Sequence, residues 1–169
     1  MSLYNSKIRW IFLTGLVIFF DLFSKWLASK MLIYSKSIII FPFLHLTLLY
    51  NYGIAFGFLN NSNNKWQVLF LTTIAIIISI GIIIWLLRLP VNNNNNNTLI
   101  SNGLICMLGG TLGNLYNRLT YGYVIDFLDF CIYKYHWPIF NIADLAICIG
   151  SATVIINNAI RCNKNRLNN

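Results

Sequence analysis

The chain has 169 residues, of which 57% are hydrophobic and only 9% charged. A soluble domain carries about 25% charged residues, so the composition excludes an ordinary globular domain and predicts an integral membrane protein. The net charge of +8 comes from twelve Lys and Arg that are scattered rather than clustered; that argues against a nucleic-acid partner and for contact with membrane lipids through anionic headgroups.

A membrane-spanning helix needs roughly 20 residues. Four apolar segments approach that length, at about 8–28, 66–87, 98–115 and 139–160. They predict a membrane all-α fold: one integral-membrane domain over 1–169 with four transmembrane helices. Lys7 and Arg9 precede the first apolar run in the manner of a signal peptide. No small-x-small cleavage site follows and the apolar stretch continues, so an uncleaved first span is expected. An even number of spans puts both termini on one side. That side holds Lys7, Arg9, Arg88, Arg161, Lys164 and Arg166, while Lys30, Lys36, Lys65, Arg118 and Lys134 are spread over the longer opposite loops. The denser positive side is expected to be cytoplasmic.

Glu is absent, and the four Asp are Asp21, Asp126, Asp129 and Asp144. Threaded through a membrane, all four come out towards the outer face. A carboxylate at membrane depth is costly and usually marks a partner, a proton path or chemistry. On the first span Asp21 and Lys25 are four residues apart and share a helix face. They read either as a self-neutralising pair or as part of a polar site between helices.

After the first span, residues 37–41 and 45–50 are rich in β-branched and aromatic residues and are separated by Pro42, which predicts short strands. Residues 124–133 have the same character, so a small extramembrane β-sheet is expected on the outer side, with its aromatics at the interface. Between them, Asn51-Tyr52-Gly53-Ile54-Ala55-Phe56-Gly57 reads either as an ordinary turn or as backbone that a ligand approaches closely. The second span carries no charge and is expected to face lipid. Six consecutive Asn at 92–97 read as a loose, low-complexity linker.

On the third span Gly109 and Gly113 permit tight helix contact, and Asn114 and Arg118 follow on one face. Arg118 reads as an interfacial anchor or as a guanidinium aimed at a carboxylate, carbonyl or phosphate. Pro138 suits the first turn of a helix, which would carry Asp144 roughly 9 Å deeper into the membrane. Asp126 lies 18 residues before Asp144, and a strand-like return would bring the two together. Paired carboxylates share one proton, so that one activates water while the other protonates a carbonyl oxygen; this is aspartyl peptidase chemistry and needs no metal. A structural or proton-relay role is the alternative for these acids.

Asp129 reads as a solvated charge. His45 and His136 lack ligand-spaced companions and read as interfacial or hydrogen-bonded side chains rather than metal ligands. Cys106, Cys131, Cys148 and Cys162 form no CxxC and read mostly as buried small hydrophobes. No cofactor motif is present, and neither HExxH nor GxSxG occurs.

Five elements in order resemble the signal peptidase II family, the lipoprotein signal peptidases: Asp21 with Lys25; Asn51, Gly53, Ala55 and Phe56; the Gly-rich run from Gly109 to Arg118; Val124, Asp126 and Phe127; and Phe140, Asn141 and Asp144. The resemblance implies an aspartyl endopeptidase with Asp126 and Asp144 as its catalytic pair. Asn51, Gly53, Asn114, Arg118 and Asn141 would hold substrate, with Asp21 and Lys25 in support. It further implies a diacylglyceryl-modified prolipoprotein substrate cut before its lipidated Cys, sensitivity to globomycin, and residence in the bacterial inner membrane, where a monomer is expected to act. Two positions depart from the family pattern: Asn117 stands where Asp is usual, and Tyr50 where His is common.

A small proton-coupled transporter and a structural membrane subunit are the competing readings. The first needs acids on both sides of the bilayer midplane; the second leaves the Asn, Arg and Asp cluster without a purpose.

Overall fold

The computed structural model describes residues 3–53, 65–90, 95–133 and 135–167. Four helices, α1 (Leu3–Met31), α2 (Lys65–Arg88), α3 (Asn95–Tyr121) and α4 (Ile142–Leu167), are joined by two strand pairs, β1 (Ser37–Phe41) with β2 (Leu44–Asn51) between α1 and α2, and β3 (Val124–Ile132) with β4 (Tyr135–His136) between α3 and α4. Each helix contains a stretch long and apolar enough to cross a membrane. The strands form one antiparallel sheet in the order β1-β2-β3-β4.

Helix α3 is the hub and packs against the other three helices. Some 61% of its apolar window is buried, against 22–28% in the others, whose outward faces carry large side chains such as Phe12, Phe19, Ile77, Ile80 and Ile155. Such faces suit lipid as solvent. Close approach to α3 depends on small residues: a side chain on Gly103 would meet the Gly150 carbonyl of α4, and one on Gly113 would meet the Asp21 carboxylate of α1.

One apolar cluster, built on Trp10, Leu86, Leu104 and Val154, closes the end of the bundle that holds the termini. A second, built on Ala28, Leu32, Leu48, Ile125 and Phe127, fastens the far end of α1 to the sheet. On α1, Asp21 and Lys25 lie between Trp10 of the first cluster and Ala28 of the second.

Helix ends differ from the sequence expectation in instructive ways. Helix α3 runs on to Tyr121 and stops at Gly122, whose φ of +80° and N–H bond back to the Arg118 carbonyl (3.0 Å) form a left-handed cap. The chain then turns directly into β3. The last three residues of the Asn run are not loose linker but open α3, and the Asn97 amide donates to the Pro90 carbonyl at 3.1 Å to close the turn from α2. Asn92–Asn94, and 54–57 of the glycine-rich segment, lie outside the described residues.

Pro138 is not in the first turn of α4, which begins at Ile142. Phe140 instead exchanges backbone hydrogen bonds with Leu128 of β3 (2.8 and 3.0 Å). That bridge keeps residues 137–141 out of the helix and places Asp144 in its first turn rather than well down its length.

Candidate active site

Asp21 and Lys25 are fully buried on α1 and paired at 2.7 Å. Lys25 Nζ also donates to Asn114 Oδ1 of α3 at 2.7 Å, and Asp21 Oδ1 accepts the Ala143 N–H of α4 at 2.8 Å. Both readings of the pair therefore hold at once: the charges neutralise each other, and they join three helices around a polar centre. A buried ion pair needs such extra hydrogen bonds to offset desolvation.

Asn141 and Asp144 cap α4 reciprocally. Asp144 N–H donates to Asn141 Oδ1 at 3.0 Å, and Asn141 N–H donates to Asp144 Oδ2 at 3.2 Å. This is a capping box made with Asn and Asp in place of Ser and Glu. It fixes the Asp144 rotamer and sets its carboxylate at the positive end of the helix, where negative charge is favoured. Asn114 Nδ2 donates to the other oxygen, Asp144 Oδ1, at 2.8 Å.

Asp126 is buried on β3, and both its oxygens accept side-chain amides: Oδ1 from Asn141 at 2.6 Å and Oδ2 from Asn51 at 3.0 Å. Asn51, at the end of β2, is itself braced by the Gly53 N–H on its Oδ1 at 2.9 Å. Burial, and after it the neighbouring Asp144 charge, push the Asp126 carboxyl up from the ordinary 3.8 to about 7, against the pull of the Asn51 and Asn141 bonds. Desolvation thus keeps a carboxylic acid protonated near neutrality.

Asp126 and Asp144 share one partner, Asn141, and line one cavity of about 200 Å³ with Asn51, Trp137, Phe140 and Cys148. The wall is mostly apolar, with these few polar groups converging on it. A larger cavity of about 500 Å³ lies against α1 and α2, and among the described residues that line it there is no carboxylate.

Every residue expected at the site falls in this region, in two groups. Asp21, Lys25, Asn51, Asn114 and Asn141 form one hydrogen-bonded network with the two acids. Gly53 and Arg118 sit beside it, with Arg118 Nη2 donating to the Gly53 carbonyl at 3.3 Å. Of the partners open to its guanidinium, the carbonyl is the one found among the described residues. Asn117 accepts the Ile125 N–H at 3.3 Å and so ties α3 to the strand bearing Asp126 without an ionic bond. Tyr50 packs against Tyr123 with ring centroids 4.5 Å apart and ring planes tilted by 35°.

Three expectations fail. Asp129 is not solvated: it is buried, accepting from Thr47 at 3.2 Å and meeting His136 Nδ1 at 2.9 Å. His45 and His136 do have companions, because their candidate ligand atoms and that of Cys131 lie within 4.8 Å of one another. Of the cysteines, Cys131 is buried, while Cys148 and Cys162 are exposed. The missed signal is strand parity. His45 pairs with Asp129 and Cys131 with His136, which puts them all on one sheet face.

The match to known proteins covers the same elements. The family model described as signal peptidase (SPase) II matches residues 13–160. The lipoprotein signal peptidase of Francisella tularensis subsp. novicida is 45% identical over 155 residues, covering 92% of this chain and 94% of that protein. That of Acinetobacter baylyi is 42% identical over 154 residues, covering 91% and 83%. A bacterial membrane enzyme solved in meso at 1.9 Å resolution is 30% identical, with a TM-score of 0.73 over 88% of this chain and 90% of its own. The chain belongs to the signal peptidase II family and is a multi-pass bacterial membrane peptidase.

Proposed function

We propose that this chain is an aspartyl endopeptidase that removes the signal peptide from diacylglyceryl-modified prolipoproteins, cleaving before the lipidated Cys with Asp126 and Asp144 as its catalytic pair. The observation that carries the reading is the joint hold of Asn141 on both carboxylates at the wall of one cavity. The relatives named lipoprotein signal peptidase support the substrate class.

The pair holds one proton between its members. The ionised carboxylate takes a proton from water, whose oxygen attacks the scissile carbonyl carbon, while the protonated carboxyl donates its proton to the carbonyl oxygen. The tetrahedral diol then collapses: the carbon–nitrogen bond breaks, the nitrogen takes a proton from the pair, one diol hydroxyl returns its proton to the pair as it becomes the carbonyl of the product, and the acid and amine products separate. The pair ends with one proton, as it began. Asp144 at the helix N-terminus is the better seat for the negative charge and Asp126 for the proton, given its carboxyl near 7.

Asn51, Asn114 and Asn141 act by holding the two acids in register, while the Gly53 carbonyl offers an acceptor and the Arg118 guanidinium its remaining donors to the substrate chain. The whole of 1–169 works as one peptidase domain, a monomer in the inner membrane with both termini in the cytoplasm and the acids at the outer face. The denser positive charge on the terminal side supports that orientation. The apolar, exposed β1 and Phe43 suit the membrane interface, where a lipid-anchored scissile bond lies. Globomycin would compete for the same cavity.

The test is cleavage of a diacylglyceryl-modified precursor by Asp126→Asn and Asp144→Asn proteins of unchanged helix content. Each is expected to lose about 100- to 10,000-fold in rate. Near-normal cleavage by either one overturns the assignment.

A further inference from the structure

Across the sheet from the two acids lies a second cluster with a different chemistry. Asp126 and Asp129 are three residues apart on β3, so their side chains leave opposite faces of the strand. On the Asp129 face, Cys131 Sγ lies 3.4 Å from His45 Nε2. Among the described residues that sulfur is the only hydrogen-bonding neighbour of the His45 ring nitrogens. His136 joins from β4 opposite Cys131, and its Nδ1 is held by Asp129 Oδ1 at 2.9 Å. These are the only two histidines in the chain, and three strands bring them to one cysteine.

We propose that His45, Cys131 and His136 bind a zinc ion, with Asp129 as the carboxylate that orients His136. Two imidazoles and a thiolate suit zinc, a borderline-soft cation, better than magnesium or calcium. Zinc–sulfur and zinc–nitrogen bonds of about 2.3 and 2.0 Å in a tetrahedron set ligand atoms roughly 3.3–3.6 Å apart. The His45–Cys131 spacing already falls in that range. His136, whose side chain is half exposed, closes the remainder by a small rotation. Asp129 on Nδ1 leaves Nε2 for the metal, the carboxylate–histidine–metal arrangement that fixes a ligand's tautomer. Thr47 supports the other Asp129 oxygen at 3.2 Å. On binding, the Cys131 thiol proton leaves to solvent as the sulfur–zinc bond forms, and water takes the fourth position.

Such an ion ties β2, β3 and β4 together through their side chains. It is separate from peptide cleavage, so the proposal stands or falls apart from the assignment of Asp126 and Asp144.

The experiment is titration of the tag-free full chain in detergent with Co²⁺ and then Zn²⁺. One equivalent of Co²⁺ is expected to give thiolate-to-metal charge-transfer absorption, which Zn²⁺ abolishes while raising Tm. Cys131→Ser should lose the band and the Tm shift. His136→Ala, at a half-exposed position that folding tolerates, should lose the tight binding, and Asp129→Asn should weaken it by about 10- to 100-fold. A Cys148→Ser, Cys162→Ser double variant should bind like the parent. Absence of the band in the parent, its survival in Cys131→Ser, or unchanged affinity in His136→Ala overturns the proposal.

Discussion

Asn141 donates its buried side-chain amide to Asp126 at 2.6 Å. The same residue caps α4 and receives the Asp144 N–H on its Oδ1, so a helix start and an active-site hydrogen bond are one structure. Its Nδ2 also reaches Asn114 Oδ1 at 3.2 Å. Replacing it disturbs the helix terminus and both carboxylates together.

Asn141→Ala is therefore expected to do more than a lost helix cap, which costs about 1 kcal/mol. Cleavage should fall by a factor of 100 or more, on the order of what misplaced catalytic groups lose. Asn141→Ser, which keeps a capping oxygen but loses the amide donor, should recover stability without recovering rate. Steady-state kinetics together with thermal denaturation checks this. Equal recovery of both by Ser would mean that capping is the only role.

The Asp21–Lys25 pair makes a different prediction. Lys25→Met leaves Asp21 buried opposite an apolar chain, and breaking a buried pair typically costs about 3–5 kcal/mol. Asp21→Leu combined with Lys25→Met removes both charges and should regain much of that stability. The double variant still lacks the ammonium on Asn114, whose other end holds Asp144. Its cleavage rate should therefore stay low while its Tm recovers. A double-mutant cycle read in both quantities separates the two roles.

What the sequence disclosed follows from which interactions are local. Membrane helices are set by runs of apolar side chains, so four spans were legible, and the pairing of Asp21 with Lys25 follows from a four-residue helical spacing. The start of α4 was not, because the Phe140–Leu128 bridge that delays it is a contact between distant residues. The burial of Asp129 and the meeting of His45 with Cys131 depend on strand register, and β2 carries an irregularity between Leu46 and Leu49. No periodicity reveals that shift in advance. The Asn114 and Asn141 amides were legible as candidates but not as holders of the acids, since their partners lie on other elements.

The pH dependence of cleavage follows from Asp126. As the protonated member of the pair it acts only below its carboxyl value, so kcat/KM should fall as pH rises through about 7. Asn51→Ala removes a bond that favours the ionised form and so raises that value further. The alkaline limb should move to higher pH even as the rate drops. A limb that stays in place, or moves down, would assign the titration to another group.

The same carboxyl links folding to pH, which can be read without any substrate. Its value rises from 3.8 in the unfolded chain to about 7 in the fold. The group's stabilising contribution is then fully present below about pH 4 and is lost as pH rises through 7, when folding must bury a charge. The rise corresponds to something on the order of 4 kcal/mol at alkaline pH. Asp126→Asn carries no such charge at any pH and can still bond to Asn141 through its own amide. Relative to the parent, it should gain Tm between pH 5 and 8, with the difference smallest on the acid side. A gap in Tm that stays constant across this range would show that Asp126 is ionised throughout, which would in turn remove the proton that the cleavage step requires.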